Sequence, residues 1–131
     1  MIYIYRSNII DALQSLASYD FQRIAWFDND QGLCYSFYEN IMDLFYDSGL
    51  NDALKASQII FGKLADDALR DLESLVDKVH KENYTSGSFI NAAEMQTIRD
   101  KAARALFLIN VSTGEGSTVI MLEPGMAPPT A

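Results

Sequence analysis

The chain has 131 residues, the size of one ordinary domain, and such a domain buries roughly 68% of its unfolded surface. Its 49% hydrophobic and 21% charged composition is typical of a folded globular protein and excludes a disordered one. The formal charge of −8, with only ten lysines and arginines, argues against nucleic acid as a direct partner, because phosphate backbones are bound by clustered basic side chains.

The first residues and the cysteine content predict where the protein works. A single cysteine, Cys34, excludes an internal disulfide framework and is typical of a reducing compartment. The opening MIYIYRSN lacks the basic and long apolar regions of a signal peptide. No apolar run reaches the ~20 residues that span a bilayer. These features predict a cytoplasmic protein with no contact to membranes.

The N-terminal segment predicts a short strand followed by helix. Residues 2–5 (IYIY) have strand-like composition, and Ser7 or Asn8 could cap the helix that follows. The helix from 9 to 18 places its apolar residues on one face: Ile9, Leu13, Leu16 and Ala17. Asp20 could cap a second, shorter helical turn.

Residues 23–38 allow two interpretations. The sequence DNDQG at 28–32 predicts a tight turn, and the segments RIAWF and LCYSFY on either side could pair as a β-hairpin. A helix after the turn fits better, because strand alternation would put Glu39 and Asp43 on the same face as Phe37 and Phe45.

A helix from 34 to 47 sorts its side chains into three faces at about 100° per residue. A core face comprises Cys34, Phe37, Ile41, Leu44 and Phe45. A tyrosine face comprises Tyr35, Tyr38, Met42 and Tyr46. An acidic face comprises Glu39, Asp43 and Asp47. Gly49 is predicted to end this helix in the left-handed conformation.

The rest of the chain predicts further helices. Helical spacing holds between 54 and 79 for one set of residues: Leu54, Phe61, Ala65, Leu69, Leu72, Val76 and Val79. Gly62 favours two helices with a break over one long helix, and Asn51 or Asp52 could begin the first of them. Residues 82–88 have loop composition. Asn91 and Glu94 make a capping-box pattern before a helix that reaches about residue 109. Its predicted core face comprises Met95, Ile98, Ala102, Leu106 and Ile109.

These elements predict a mostly α-helical fold, a compact bundle of four to six helices. The β-like segment at 117–122 could pair with residues 2–5, making a two-stranded ribbon from the two termini. The alternative is an α+β fold with a hairpin around residues 23–38. We expect a single helical domain over residues 1–123 and a flexible tail over 124–131, which contains three prolines and no apolar periodicity.

No catalytic or cofactor motif is complete. Asp28, Asp30, Ser36 and Glu39 have the spacing of a calcium loop, but Gly32 replaces a ligand and Leu33 replaces the turn glycine. A carboxylate metal site could draw on a second set: Glu39, Asp43, Glu73, Asp77 and His80. With a single histidine in the chain, the common zinc sets are excluded. Cys34 with His80 as base, a phosphate-binding glycine loop and a serine elbow have no support in the spacing. We expect no enzymatic activity, no metal and no cofactor.

The N-terminal half concentrates both aromatic and acidic residues. Residues 1–52 hold eleven of the fifteen aromatic residues, and eight acidic side chains against two arginines give a local charge of −6. The predicted partner-binding residues are Tyr35, Tyr38, Glu39, Met42, Asp43, Tyr46 and Asp47. Tyrosine is common at interface hot spots, and acidic neighbours accelerate the capture of a basic partner.

The sequence therefore predicts a small non-enzymatic module that binds, and neutralises or regulates, a basic protein partner. Immunity proteins, antitoxins and inhibitors are proteins of this kind. Two alternatives stay open. One is a homo-oligomeric structural or accessory domain, such as a homodimer that associates through the wide apolar arc of the 34–47 helix. The other is a small metal-dependent or cysteine enzyme.

Overall fold

Helices carry most of the chain, as the sequence predicts. The structure is a computed structural model that describes residues 2–23, 37–80 and 93–122. Its elements in chain order are β1 (Tyr3–Tyr5), α1 (Arg6–Ala17), α2 (Tyr19–Gln22), α3 (Phe37–Ile41), a π-helical turn (Met42–Asp47), α4 (Leu50–Lys55), α5 (Lys63–His80), α6 (Ala93–Val111) and β2 (Ile120–Leu122). The six α-helices of the described residues agree with the predicted mostly α-helical bundle.

The two terminal strands form a parallel ribbon. Tyr3 is opposite Ile120 and Tyr5 is opposite Leu122. The amide of Ile120 donates to the carbonyl of Ile2 at 3.0 Å. On its other side β1 is held by the amide of Tyr5, which donates to the carbonyl of Ser48 at 3.0 Å. The predicted ribbon is confirmed, with β2 covering only the last three residues of the expected segment.

One hydrophobic core lies between the helices and the ribbon. Helices α1 and α5 both pack against α6, and α1 also packs against the π-helical turn. The face predicted for α5 and the residues before it is buried throughout, from Leu54 to Val79. The predicted faces of α1 and α6 are also buried, except that Ala17 and Leu106 are half-buried at the edge of the core. Apolar spacing therefore predicted the core side of each long helix.

The predicted first residues of the helices were less accurate than the predicted buried faces. Helix α1 begins at Arg6, directly after β1, and neither Ser7 nor Asn8 caps it. The chain passes from strand to helix without an intervening turn, so both residues lie inside the first helical turn. Helix α2 is capped by Ser18 instead of Asp20, because the Ser18 hydroxyl accepts from the amide of Phe21 at 3.1 Å.

The chain breaks between α4 and α5, as expected from Gly62. Gly62 has a φ of 131°, and Ser57 also has a positive φ of 55°. The amides of Ile60 and Phe61 donate to the two carboxylate oxygens of Asp66, each at 2.9 Å. Helix α4 begins at Leu50, one residue before the expected Asn51, and follows Gly49 in the predicted left-handed conformation.

Several predicted features lie outside the described residues. They are the turn at 28–32 with its alternative hairpin, Cys34, the loop at 82–88, the Asn91 cap and the tail at 124–131. In the described part of the chain, no helix is both long enough and apolar enough to cross a membrane.

Candidate functional site

Helix α3 and the π-helical turn are anchored from one side. Phe37, Leu44 and Phe45 are buried in the core. Asn40 is also fully buried, and its side-chain amide donates to the carbonyl of Ala12 in α1 at 2.9 Å. These contacts fix the backbone of residues 37–47 against α1, so the side chains on the opposite side are held on a rigid element.

The outer side of this segment presents two tyrosines. Tyr38 is 54% exposed and Tyr46 is 50% exposed, while Met42 between them is half-buried. Tyr35, the fourth member of the predicted tyrosine face, lies outside the described residues. A partly exposed tyrosine on a rigid backbone keeps both an apolar ring and a polar hydroxyl available for contact with another molecule.

The predicted acidic residues surround the tyrosines. Glu39 and Asp47 are exposed and Asp43 is half-buried. Some loss of hydration raises the pKa of Asp47 although the residue is exposed, and the hydrogen bond to Asp43 and the charge of that neighbour raise it further. The two carboxylates therefore repel each other, and a cation placed between them would relieve that repulsion.

A shallow polar groove extends the acidic surface onto α1. It has a volume of about 220 Å³ and is lined by Asn8, Asp11, Ala12, Ser15 and Asp43. Asp11 and Asp43 face this groove from two different elements. Asp11 is not among the residues predicted to bind a partner, because only the packing of α1 against the π-helical turn brings Asp11 and Asp43 to one groove.

A second polar groove borders Tyr46 on the other side. It has a volume of about 210 Å³ and is lined by Tyr46, Asn51, Lys55, Glu73, Ser74 and Asp77. Glu73 and Asp77 come from α5, where their spacing of four residues places them on one face. Both residues belong to the larger set that the sequence suggested for a carboxylate metal site, with Glu39, Asp43 and His80. Their position beside Tyr46 depends on how α5 packs and could not be read from the spacing.

Glu73 is in an unfavourable position for a charged carboxylate. Its Oε2 atom is buried and has no hydrogen-bond partner. Burial raises the pKa of Glu73 and Asp77 adds to this effect, while Lys55 and Arg70 oppose it. A cation of another molecule that entered this groove would favour the ionised carboxylate through its charge.

We name the combined region the acidic tyrosine surface: Tyr38, Glu39, Met42, Asp43, Tyr46 and Asp47 with the two grooves beside them. Its chemistry is that of hydrogen-bond acceptors and aromatic rings, which suits guanidinium and ammonium groups. Among the described residues, no group of three or more His, Cys, Asp or Glu side chains could hold a metal ion. Of the calcium-loop positions only Glu39 is described, and it is exposed.

Comparison with known proteins adds no relative, because no protein family, curated protein or solved structure matches the chain.

Proposed function

We propose that the chain is a non-enzymatic binding module that captures a basic protein partner through the acidic tyrosine surface and thereby neutralises or regulates it. The observation that carries this proposal is the exposure of Tyr38 and Tyr46 on a segment whose other side is anchored in the core. Large apolar side chains that share an exposed face with carboxylates are typical of binding surfaces.

The tyrosines would supply the affinity. Each ring already has a fixed backbone position, because Phe37, Asn40 and Phe45 hold the segment from inside. Tyrosine has few rotatable bonds, so the entropy lost when a partner covers the ring is small. Interface tyrosines of this kind each contribute about 2 kcal/mol when they act as hot spots.

The carboxylates would increase the association rate and make binding specific for basic proteins. Asp11 and Asp43 face one groove, and Glu73 and Asp77 face the other, where Lys55 is the one cation among the described lining residues. A lysine or arginine of the partner could enter either groove. The acidic field increases the rate of productive encounters with basic proteins and disfavours acidic ones.

Affinity capture from a lysate of the native cell tests this proposal. The immobilised chain is expected to retain a basic protein, and the double variant Tyr38→Ala/Tyr46→Ala is expected to lose it. A matched control is Ile59→Ala, which also shortens an exposed apolar side chain but on a different surface. Retention of the same protein by the tyrosine variant would show that the acidic tyrosine surface is not the binding site.

A further inference from the structure

Helix α6 is apolar on two opposed sides. One side is buried in the core and comprises Met95, Ile98, Ala102, Ala105 and Ile109. The opposite side carries two exposed apolar side chains four residues apart, Phe107 at 61% and Val111 at 60% exposed, with Arg104 and Leu108 beside them. Leu108 packs against the edge of the core, whereas Phe107 and Val111 are not part of it.

Helix α5 adds a matching ridge. Leu64 is 70% exposed at the start of α5. Leu64 and Leu108 line one groove together, while Asp71 bonds to Lys101 farther along, so the two helices run antiparallel. The groove between them has a volume of about 290 Å³, and a neighbouring depression of about 340 Å³ shares Leu64 and Leu108 and extends to Val111.

The charges beside this groove are balanced. Asp67 and Asp71 lie on the α5 side, and Lys101 and Arg104 lie on the α6 side. Lys101 forms an ion pair with Asp71, and Lys63 pairs with Asp67 at 2.9 Å. None of the described carboxylates forms an ion pair with Arg104. In a chain with a formal charge of −8, this face is one where two copies could approach without strong repulsion.

We propose that a second copy of this chain docks on the α5–α6 face, which we define by Leu64, Phe107, Leu108 and Val111, to form a two-fold symmetric dimer. In such an interface each copy contributes the same patch, so the patch must complement itself. An acidic α5 side beside a basic α6 side meets this condition, because rotation by half a turn places the acidic side of one copy against the basic side of the other.

The apolar side chains also fit this arrangement. The axis of the half turn runs along the groove, so Leu64 of one copy lies on the side of Phe107 and Val111 of the other, and α5 of each copy packs beside α6 of its partner. A strongly basic partner would gain little from this balanced face and would be attracted to the acidic tyrosine surface instead.

The dimer would leave the acidic tyrosine surface open. On α5, Glu73 and Asp77 lie about half a turn away from Leu64 and Ala68, at about 100° per residue. The two surfaces therefore use different sides of the same helix. Two captured partners could bind one dimer, and a partner with two binding sites would gain avidity.

Sedimentation velocity of the full chain tests the dimer. Over about a hundredfold range of concentration, the wild type is expected to reach twice the 14.7 kDa chain mass. Phe107→Ser/Val111→Ser is expected to stay at the chain mass, with the melting temperature of the wild type at dilutions where the wild type is also monomeric, since both side chains are exposed. A wild type that is monomeric throughout, or a serine variant that still dimerises, would overturn the proposal.

A charge variant provides a second, independent test. Arg104→Asp leaves Lys101 as the one basic group of the described lining against three carboxylates, and it is expected to weaken dimerisation at least about tenfold. The matched control Arg6→Asp makes the same change in net charge at the exposed start of α1 and is expected to leave the dimer unchanged. Equal effects of the two variants would mean that general repulsion, and not this face, controls association.

Variants of the other surface separate this proposal from the proposed function. Tyr38→Ala/Tyr46→Ala is expected to remain dimeric while losing the captured basic protein. If this variant is monomeric, self-association uses the tyrosines and the α5–α6 dimer is wrong. If a monomeric wild type captures a foreign protein that Phe107→Ser/Val111→Ser fails to capture, the face serves that protein and the dimer is also wrong.

Discussion

Asp66 shows how much one side chain contributes to the break between α4 and α5. It is 3% exposed, and its two carboxylate oxygens accept from the amides of Ile60 and Phe61. These amides precede the helix and have no carbonyl partner within it. The carboxylate therefore fixes the end of the connection, while Thr118 holds its middle through Gln58 and Ile59.

Removal of this carboxylate should destabilise the fold. Asp66→Ala leaves two buried amides without acceptors, and we expect a loss of about 3 kcal/mol in the free energy of unfolding, measured by urea denaturation. The control Asp67→Ala removes an adjacent exposed carboxylate that pairs with Lys63, and it should cost about 0.5 kcal/mol or less. Similar losses for both variants would contradict the assigned role of Asp66.

Glu73 should make the stability of the chain fall as pH rises. Burial raises the pKa of folded Glu73 above its ordinary value of 4.5, so the folded state holds the proton more tightly than the unfolded state. Ionisation between 4.5 and the folded pKa therefore lowers stability. We expect Glu73→Gln to be more stable than the wild type at about pH 7 and equal to it at about pH 4, measured by thermal unfolding.

A second carboxylate provides the control for this pH effect. Glu94→Gln changes an exposed residue in the first turn of α6, and the difference in melting temperature from the wild type should vary less with pH. A difference for Glu73→Gln that stays constant from acid to neutral pH would show that Glu73 ionisation does not limit stability.

The elements differ in how well the sequence predicts them, for a physical reason. The faces of α1, α5 and α6 follow from apolar spacing, because a regular helix repeats its contact with the core every three or four residues. Helix starts depend on single hydrogen bonds. Composition suggested Ser7, Asn8 and Asp20 as caps. The first residues of α1 and α2 are instead determined by the end of β1 and by the hydrogen bond of the Ser18 hydroxyl.

The π-helical turn could not be predicted from regular spacing. The sequence analysis assumed about 3.6 residues per turn through residue 47, while i to i+5 bonding from Met42 to Asp47 widens the turn. Asn40 is fully buried and Ile41 is only half-buried, although the polar residue is expected to face water and the apolar residue to face the core. The bond from Asn40 to the carbonyl of Ala12 satisfies the buried amide nitrogen while the amide oxygen has no partner, and it joins residues that are far apart in the sequence.

Gly49 joins the π-helical turn to α4 and also lies against β1. Its φ is 85°, and a Cβ atom there would overlap the carbonyl oxygen of Tyr3. We expect Gly49→Ala to cost about 3 kcal/mol, from the left-handed backbone and from displacement of β1, measured by urea denaturation. Gly114→Ala is the matched control, because its φ is 71° with open space around it, and it should cost about 1 kcal/mol. Equal costs would show that β1 can move freely.

At the scale of the whole molecule, charge is distributed unevenly over two surfaces. The acidic tyrosine surface has an excess of carboxylates, whereas the α5–α6 face has both signs beside exposed apolar side chains. The order of the residues alone predicted the tyrosine face and the local negative charge. It did not predict the contributions of Asp11 and Glu73, or the second face of α6, because each depends on which helices are neighbours.

The acidic field should control how fast the partner is captured. Glu39→Lys/Asp43→Lys should leave the circular dichroism spectrum unchanged and slow association at low salt by about tenfold or more, with a smaller difference at high salt. Glu94→Lys/Glu115→Lys makes the same change in net charge at two other exposed positions and should have a smaller effect. Equal association rates for the wild type and the Glu39→Lys/Asp43→Lys variant at low salt would argue against electrostatic capture.

The parallel ribbon has a consequence for how the chain is made. Tyr5 is synthesised 117 residues before Leu122, its neighbour in β2, which takes about 6–23 s at roughly 5–20 residues per second. During that interval the ribosome still holds the growing chain, and one edge of β1 has unpaired backbone groups that could pair with another nascent chain. The bond from Tyr5 to Ser48 can form much earlier. It would hold β1 against the emerging helices until translation supplies its partner strand.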